Sequence, residues 1–109
     1  MINLGKYKTE LSAVCGNNRA IKKLYLFGSV LTPRFDDEVS DIDVLVETTD
    51  MEAEEKGEKL ILLWDNLEAL FNRKIDLLTE NSLKNPFLKK EIEQTRKLIY
   101  DGQSREVFV

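Results

Sequence analysis

The chain has 109 residues, of which 42% are hydrophobic and 33% charged, with a formal net charge of −4, one cysteine and no histidine. This length fits a single domain spanning residues 1–109, and the hydrophobic fraction is sufficient for a packed core. The absence of histidine excludes His-dependent catalysis and His-ligated zinc. A single cysteine excludes an internal disulfide and any metal site built from several cysteines. Any bound metal must therefore have oxygen ligands, which indicates a hard cation such as Mg²⁺.

The first third of the chain predicts a helix, a buried strand and a tight turn. The helix is indicated by apolar residues at three- and four-residue spacing, namely Leu4, Tyr7, Leu11 and Val14. Residues 23–27 form a short, mostly apolar run that stops at Gly28, which is typical of a buried strand. We expect Ser29 to cap a short helical turn that ends before Pro33.

The remainder predicts two strands, each followed by a helix. Residues 41–47 and 74–79 are the strands, and between them a helix carries a core stripe comprising Leu60, Leu63, Trp64, Leu67, Leu70 and Phe71. Asn85 and Pro86 predict the start of a last helix that Gly102 stops, with its inward stripe at Leu88, Ile92, Thr95 and Ile99. Residues 107–109 are either a frayed tail or a short strand. This alternation indicates an α/β (α+β) fold, a small sheet with helices packed against it.

Charge is unevenly distributed along the chain. Residues 36–58 contain eleven acids and one lysine, a net −10, which argues against direct nucleic-acid binding. No apolar run is long enough to span a membrane, and the N-terminus lacks a signal pattern. We therefore expect a cytoplasmic protein in which Cys15 is a reduced, part-buried thiol.

Acidic residues interrupt two of the predicted strands. Asp41 and Asp43 are two residues apart, so their side chains leave the same face of the strand, and Asp76 lies between Ile75 and Leu77 in the same alternating manner. If the two strands are neighbours, three carboxylates meet and repel one another, and a divalent cation would relieve that repulsion. Such sites serve phosphoryl or nucleotidyl transfer, with the third carboxylate placed to take the proton of the acceptor.

A phosphate site is predicted next to these carboxylates. Gly28 allows the backbone to approach a phosphate closely, and the Ser29 hydroxyl and the free amides of the turn can bind phosphate oxygens. Arg34 follows five residues after Ser29 and could reach the same phosphates. Lys74 either pairs with the carboxylates or faces solvent, and we expect solvent.

These segments together resemble a known signature. Leu26-Phe27-Gly28-Ser29 followed by residues 40–46 (SDIDVLV) is similar to the motif of the DNA polymerase beta-like nucleotidyltransferase superfamily, and residues 73–78 (RKIDLL) are similar to its third-carboxylate strand. The short chain resembles the minimal nucleotidyltransferases, or MNT proteins. The resemblance implies a mixed, twisted sheet with helices mainly on one face. It also implies that Asp41 and Asp43 bind two Mg²⁺ ions, that Asp76 completes the site as a candidate base, and that Gly28 and Ser29 contact the phosphates of ATP.

The resemblance further implies a partner. Many minimal nucleotidyltransferases act as antitoxins that transfer AMP from ATP to a tyrosine of a HEPN-domain ribonuclease toxin, so we expect this activity here. Two alternatives are a non-catalytic antitoxin that neutralises its partner by binding, and an adenylyltransferase that modifies a small molecule as a homo-oligomer. Three converging acids favour an enzyme over a binding module, and the lack of a second domain argues against the small-molecule acceptor.

Overall fold

A computed structural model describes residues 3–33 and 41–109 of the chain. Within these ranges it has five strands, which are β1 (Ile21–Phe27), β2 (Ile42–Thr48), β3 (Ile75–Thr79), β4 (Lys97–Asp101) and β5 (Glu106–Val107). Three α-helices accompany them, α1 (Lys8–Gly16), α2 (Ala53–Phe71) and α3 (Pro86–Thr95). Short 3₁₀ turns occupy Gly5–Tyr7, Gly28–Leu31 and Glu80–Ser82.

The strands form a mixed sheet in the order β3-β2-β1-β4-β5. β2 and β3 are parallel and are joined by the crossover helix α2, whereas β1 pairs antiparallel with both β2 and β4. Because of these directions, β1 ends at the same edge of the sheet at which β2, β3 and β4 begin. We call this edge the Gly28 end of the sheet, since the turn that follows β1 lies there.

The main core fills one face of the sheet, where α1 and α2 pack. Ile42, Val44 and Val46 alternate toward this face from β2, and Leu63, Leu67 and Phe71 meet them from α2. The opposite face has a smaller cluster in which Ile92 of α3 covers Tyr25 and Leu45. Helices therefore lie mainly on one face, as expected, and residues that alternate with the main core, including Asp43 and Asp76, lie on the face that α3 covers.

The prediction of a last helix that runs to Gly102 is wrong. α3 begins as expected, with the Asn85 side chain accepting hydrogen bonds from the backbone N–H groups of Phe87 and Leu88, but it ends at Thr95. Arg96 is already extended, and the next five residues form β4 against the central strand β1. Long-range pairing with β1 outweighs the local helical spacing of Ile92, Thr95 and Ile99. Of residues 107–109, only Val107 belongs to a short strand, β5, and Phe108 and Val109 follow it outside any strand.

The structure also differs from the predictions for three single residues. Trp64 is not in the core, since it is 41% exposed at the sheet edge, where its indole N–H donates a 2.7 Å hydrogen bond to the Ile75 carbonyl. Ser29 does not cap the turn after β1, because Phe27 occupies the N-cap position and no side chain caps it. Cys15 is a free thiol that is fully rather than partly buried. No helix in the two described ranges is long and apolar enough to cross a membrane.

Candidate active site

The structure brings the predicted acidic residues of β2 and β3 together. In the parallel pairing of these strands Asp43 lies opposite Asp76, and in the antiparallel pairing on the other side Asp43 lies opposite Phe27. Asp43 is thus held between the start of β3 and the end of β1. Asp41 immediately precedes β2 at the same edge. The condition on which the sequence interpretation depended, that the two acidic strands are neighbours, is met.

Electrostatic repulsion marks the cluster. Partial burial raises the pKa of Asp43, and the charge of Asp76, a side-chain hydrogen bond with Asp76 and the charge of Asp41 raise it further. A hydrogen bond between two carboxyl groups requires a proton between them. In the absence of a cation, the protonated form of Asp43 is therefore favoured relative to an ordinary aspartate.

Lys74 places a positive charge against this cluster. Its Nζ atom lies 3.9 Å from Asp41 Oδ2 and 3.9 Å from Asp76 Oδ1, so the expectation that Lys74 merely faces solvent is wrong. The lysine side chain is 67% exposed, and each aspartate side chain is 45% exposed. Ion pairs this open are weak, so Lys74 can be displaced from between the two acids at little cost.

Gly28 packs directly against the Asp43 carboxylate. Its φ angle is +78°, and a Cβ atom built at this position would overlap Asp43 Oδ2. Both the backbone conformation and the close approach therefore require glycine. Gly28 thus fixes the position of the turn relative to the carboxylates and leaves Ser29 exposed one residue further on.

A cleft of about 590 Å³ opens beside this turn. Its lining combines the turn with one side of α3 and comprises Gly28, Ser29, Leu31, Thr32, Glu91 and Thr95. The volume lies within the range of about 300–1,000 Å³ that small-molecule sites occupy. Glu91 and Thr95 were not predicted as site residues, because no local pattern reveals that α3 returns along the sheet to the Gly28 end.

The predicted phosphate ligand Arg34 and the predicted metal ligands differ in what the structure describes of them. Arg34 lies outside the described residues. Asp41, Asp43 and Asp76 are close enough to interact electrostatically, yet within residues 3–33 and 41–109 no three acidic or thiol side chains are placed as a ready-made metal-binding group.

Comparison with known proteins identifies the family. Residues 9–105 match the sequence profile of the polymerase beta nucleotidyltransferase family. The matched range includes β1, the Gly28 turn and both acidic strands, which is the arrangement described above. This chain therefore belongs to that family and is a nucleotidyltransferase.

Several individual proteins are similar to this chain in sequence or in fold. The Methanocaldococcus jannaschii protein MJ0126, named as a candidate protein adenylyltransferase, is 38% identical over 97 residues that cover 89% of each chain. A solved toxin–antitoxin structure with AMP-PNP has the same fold, with a TM-score of 0.59 and 21% identity over 93% of this chain and 77% of the other. A tri-AMPylated HEPN toxin from Shewanella oneidensis in complex with its MNT antitoxin matches with a TM-score of 0.56 and 21% identity, over 88% of this chain and 71% of the other.

Proposed function

We propose that this chain is a cytoplasmic, Mg²⁺-dependent adenylyltransferase that moves AMP from ATP to a tyrosine hydroxyl of a HEPN-domain partner protein and thereby acts as an antitoxin. The observation that carries the proposal is the placement of Asp43 between Asp76 and the Gly28 turn. The carboxylates that we propose to bind metal and to accept a proton therefore lie next to the Gly28 turn and to a cleft large enough for a nucleotide.

Asp41, Asp43 and Asp76 are the residues that would hold Mg²⁺, as two ions in the proposed state. Carboxylate oxygens are the ligands that this cation prefers. Burial and then the charges of Asp76 and Asp41 raise the pKa of Asp43, and a bound cation would relieve the repulsion between these acids. When bound, Mg²⁺ would neutralise the triphosphate and activate the acceptor hydroxyl. Lys74 would then move out of the position it occupies between Asp41 and Asp76.

The remaining roles belong to the turn and to Asp76. The Ser29 hydroxyl and the backbone N–H groups of the turn would bind phosphate oxygens, with Arg34 as a further phosphate ligand. In the transfer, the acceptor oxygen forms a bond to the α-phosphorus of ATP while the bond from that phosphorus to the bridging oxygen breaks. Pyrophosphate leaves, and the hydroxyl proton passes to the Asp76 carboxylate.

The comparisons support the partner as well as the reaction. The relative MJ0126 carries the name of a candidate protein adenylyltransferase, which makes a protein the acceptor to test first. The solved complexes with AMP-PNP and with a tri-AMPylated HEPN toxin point to ATP as the donor and to a HEPN protein as the acceptor.

The test is adenylylation of a purified HEPN-domain protein encoded beside this chain. Incubation with ATP and Mg²⁺ should add the mass of AMP to a tyrosine of the HEPN protein, as measured by intact and peptide mass spectrometry. Asp41→Ala should reduce this signal at least a hundredfold. Asp50→Ala, which removes the same charge from an exposed residue of the same acidic stretch, should leave it unchanged.

Each alternative has its own outcome in this assay. Tight binding of the HEPN protein with no mass change would support a non-catalytic antitoxin. Release of pyrophosphate without modification of either protein, on addition of small hydroxyl-bearing compounds, would support a small-molecule acceptor. Equal activity of Asp41→Ala and the unmodified protein would contradict the proposed active site.

A further inference from the structure

The N-terminal half of α3 exposes a large aromatic side chain on a well-defined helix. Phe87 is 84% exposed and Leu88 is 44% exposed, and among the exposed large hydrophobic residues of the described ranges Phe87 is the most exposed. The helix here is fixed by the Asn85 cap and by Pro86 in its first turn. An aromatic ring held in water on a rigid element is typical of an interaction surface.

Phe87 lies on the side of α3 that leads to the cleft. Glu91 and Thr95, which line the cleft, follow it by four and eight residues, so the three recur at helical spacing. With a rise of about 1.5 Å per residue, Phe87 is about 6 Å along the helix axis from Glu91 and about 12 Å from Thr95. A protein docked on Phe87 would therefore extend over the cleft.

Residues 84–90, which flank Phe87 in the chain, carry three lysines and no acid, and Glu91 lies one helical turn further on. Lys84, Lys89 and Lys90 are exposed, no acid occurs between residues 84 and 90, and none of these lysines is in an ion pair found among the described residues. We call this group, namely Lys84, Phe87, Leu88, Lys89 and Lys90, the Phe87 patch. In a chain of net charge −4, such a patch is complementary to an acidic surface that contains an apolar pocket.

From these observations we infer that the Phe87 patch docks the acceptor protein, with Phe87 entering an apolar pocket rimmed by carboxylates of the partner. This inference rests on the proposed function, because it takes the acceptor to be a protein. The other exposed apolar residues of a helix, including Ile61 and Leu62, lie on α2, which packs on the opposite face of the sheet from Asp43. A partner bound there would not reach the cleft.

The decisive variant is Phe87→Ser, with Ile61→Ser as its matched control. Phe87 is outside both core clusters, so the variant should fold, and thermal melting checks this. We expect Phe87→Ser to weaken binding of the HEPN-domain protein about tenfold or more by calorimetry and to raise its KM similarly. The KM for ATP and kcat should be unchanged, and Ile61→Ser should leave all of these values unchanged. Lys90→Glu should weaken binding in a salt-dependent manner, whereas Lys8→Glu on α1 should not.

The outcomes separate this inference from the proposed function. Binding that Phe87→Ser weakens, in a complex that shows no AMP transfer, would support the docking surface and contradict the proposed activity. If Phe87→Ser leaves both AMP transfer and binding of the HEPN protein unchanged, the docking surface is overturned but the proposed activity is not. The protein could instead bind a single-stranded RNA oligonucleotide, with Phe87→Ser abolishing that binding but not binding of the HEPN protein. This result would overturn the docking inference and identify a nucleic-acid surface. No binding of the HEPN protein at all would overturn both.

Discussion

Asp43 and Asp76 lie opposite each other on two parallel strands, where partial burial and then the charge of Asp76 raise the pKa of the Asp43 carboxyl group. This pairing joins residues 33 positions apart in the chain and places them where β1 ends, next to the turn that begins at Gly28. The two acids face the side of the sheet on which α3 packs, and each is partly exposed beside the neighbouring cleft. This arrangement supports the proposed chemistry.

Gly28→Ala should impair both folding and activity. A side chain at φ +78° is strained by about 1–2 kcal/mol, and the new Cβ would displace the Asp43 carboxylate. Denaturant unfolding should show this loss, and AMP transfer should fall at least tenfold. Gly57→Ala is the control, since nothing lies within 4 Å of a Cβ there, and in the interior of α2 it should stabilise the protein by about 0.5–1 kcal/mol. Unchanged stability and activity for Gly28→Ala would contradict the close packing of the turn on Asp43.

Asp43→Asn should abolish activity yet stabilise the metal-free protein at neutral pH. The pKa of Asp43 is raised in the folded state, so as pH increases the unfolded chain ionises this group first, and the folded state loses relative stability above the ordinary aspartate pKa of about 3.9. The variant should melt a few degrees higher at pH 7 in chelator, where about 1 kcal/mol corresponds to about 4–8 °C for a domain of this size.

The same stabilisation should disappear as the pH is lowered below the ordinary aspartate pKa, because Asp43 is then protonated in both states. Asp50→Asn, at an exposed position, serves as the control and should leave the melting temperature nearly unchanged. A lower melting temperature for Asp43→Asn at pH 7 in chelator would show that the carboxylates do not repel one another.

Lys74→Met should strengthen Mg²⁺ binding. The ammonium group lies 3.9 Å from both Asp41 and Asp76 and competes with a cation for them. At this distance two unit charges in a water-like medium interact by about 1 kcal/mol, which corresponds to an increase in Mg²⁺ affinity of about fivefold. Calorimetric titration with MgCl₂ measures the effect, and Lys8→Met on α1 is the control. Weaker Mg²⁺ binding would mean that Lys74 organises the acids instead of competing for them.

Trp64→Phe should destabilise the protein by about 1 kcal/mol through loss of one hydrogen bond. The indole N–H donates to the Ile75 carbonyl, and the Glu68 carboxylate accepts from the Ile75 N–H, so two side chains of α2 satisfy the exposed edge of β3. Urea unfolding followed by circular dichroism measures the change. Ile61→Val, at a more exposed position of the same helix, should have an effect within about 0.5 kcal/mol. Unfolding free energies equal to that of the parent protein would contradict a structural role for the indole N–H.

Local alternation of apolar and polar residues was sufficient to predict several parts of this protein. Apolar residues at every second position around Asp43 and Asp76 fixed which side of each strand the acids occupy, and the stripe ending at Phe71 fixed the core face of α2. The strand, Gly28 turn and acidic strand also followed from local order, since each side chain's direction depends only on its neighbours in the chain.

Other features depend on contacts between segments that are distant in the chain, and these could not be predicted from local patterns. Residues 97–101 form β4 because they pair with β1. Trp64 lies at the surface, where its indole N–H donates a hydrogen bond to the Ile75 carbonyl. The return of α3 along the sheet put Glu91 and Thr95 into the cleft and Phe87 beside it, and the adjacency of β2 and β3 put Lys74 between Asp41 and Asp76. Hydrogen-bond pairing and packing between segments far apart in the chain set these positions, and local periodicity carries no information about such contacts.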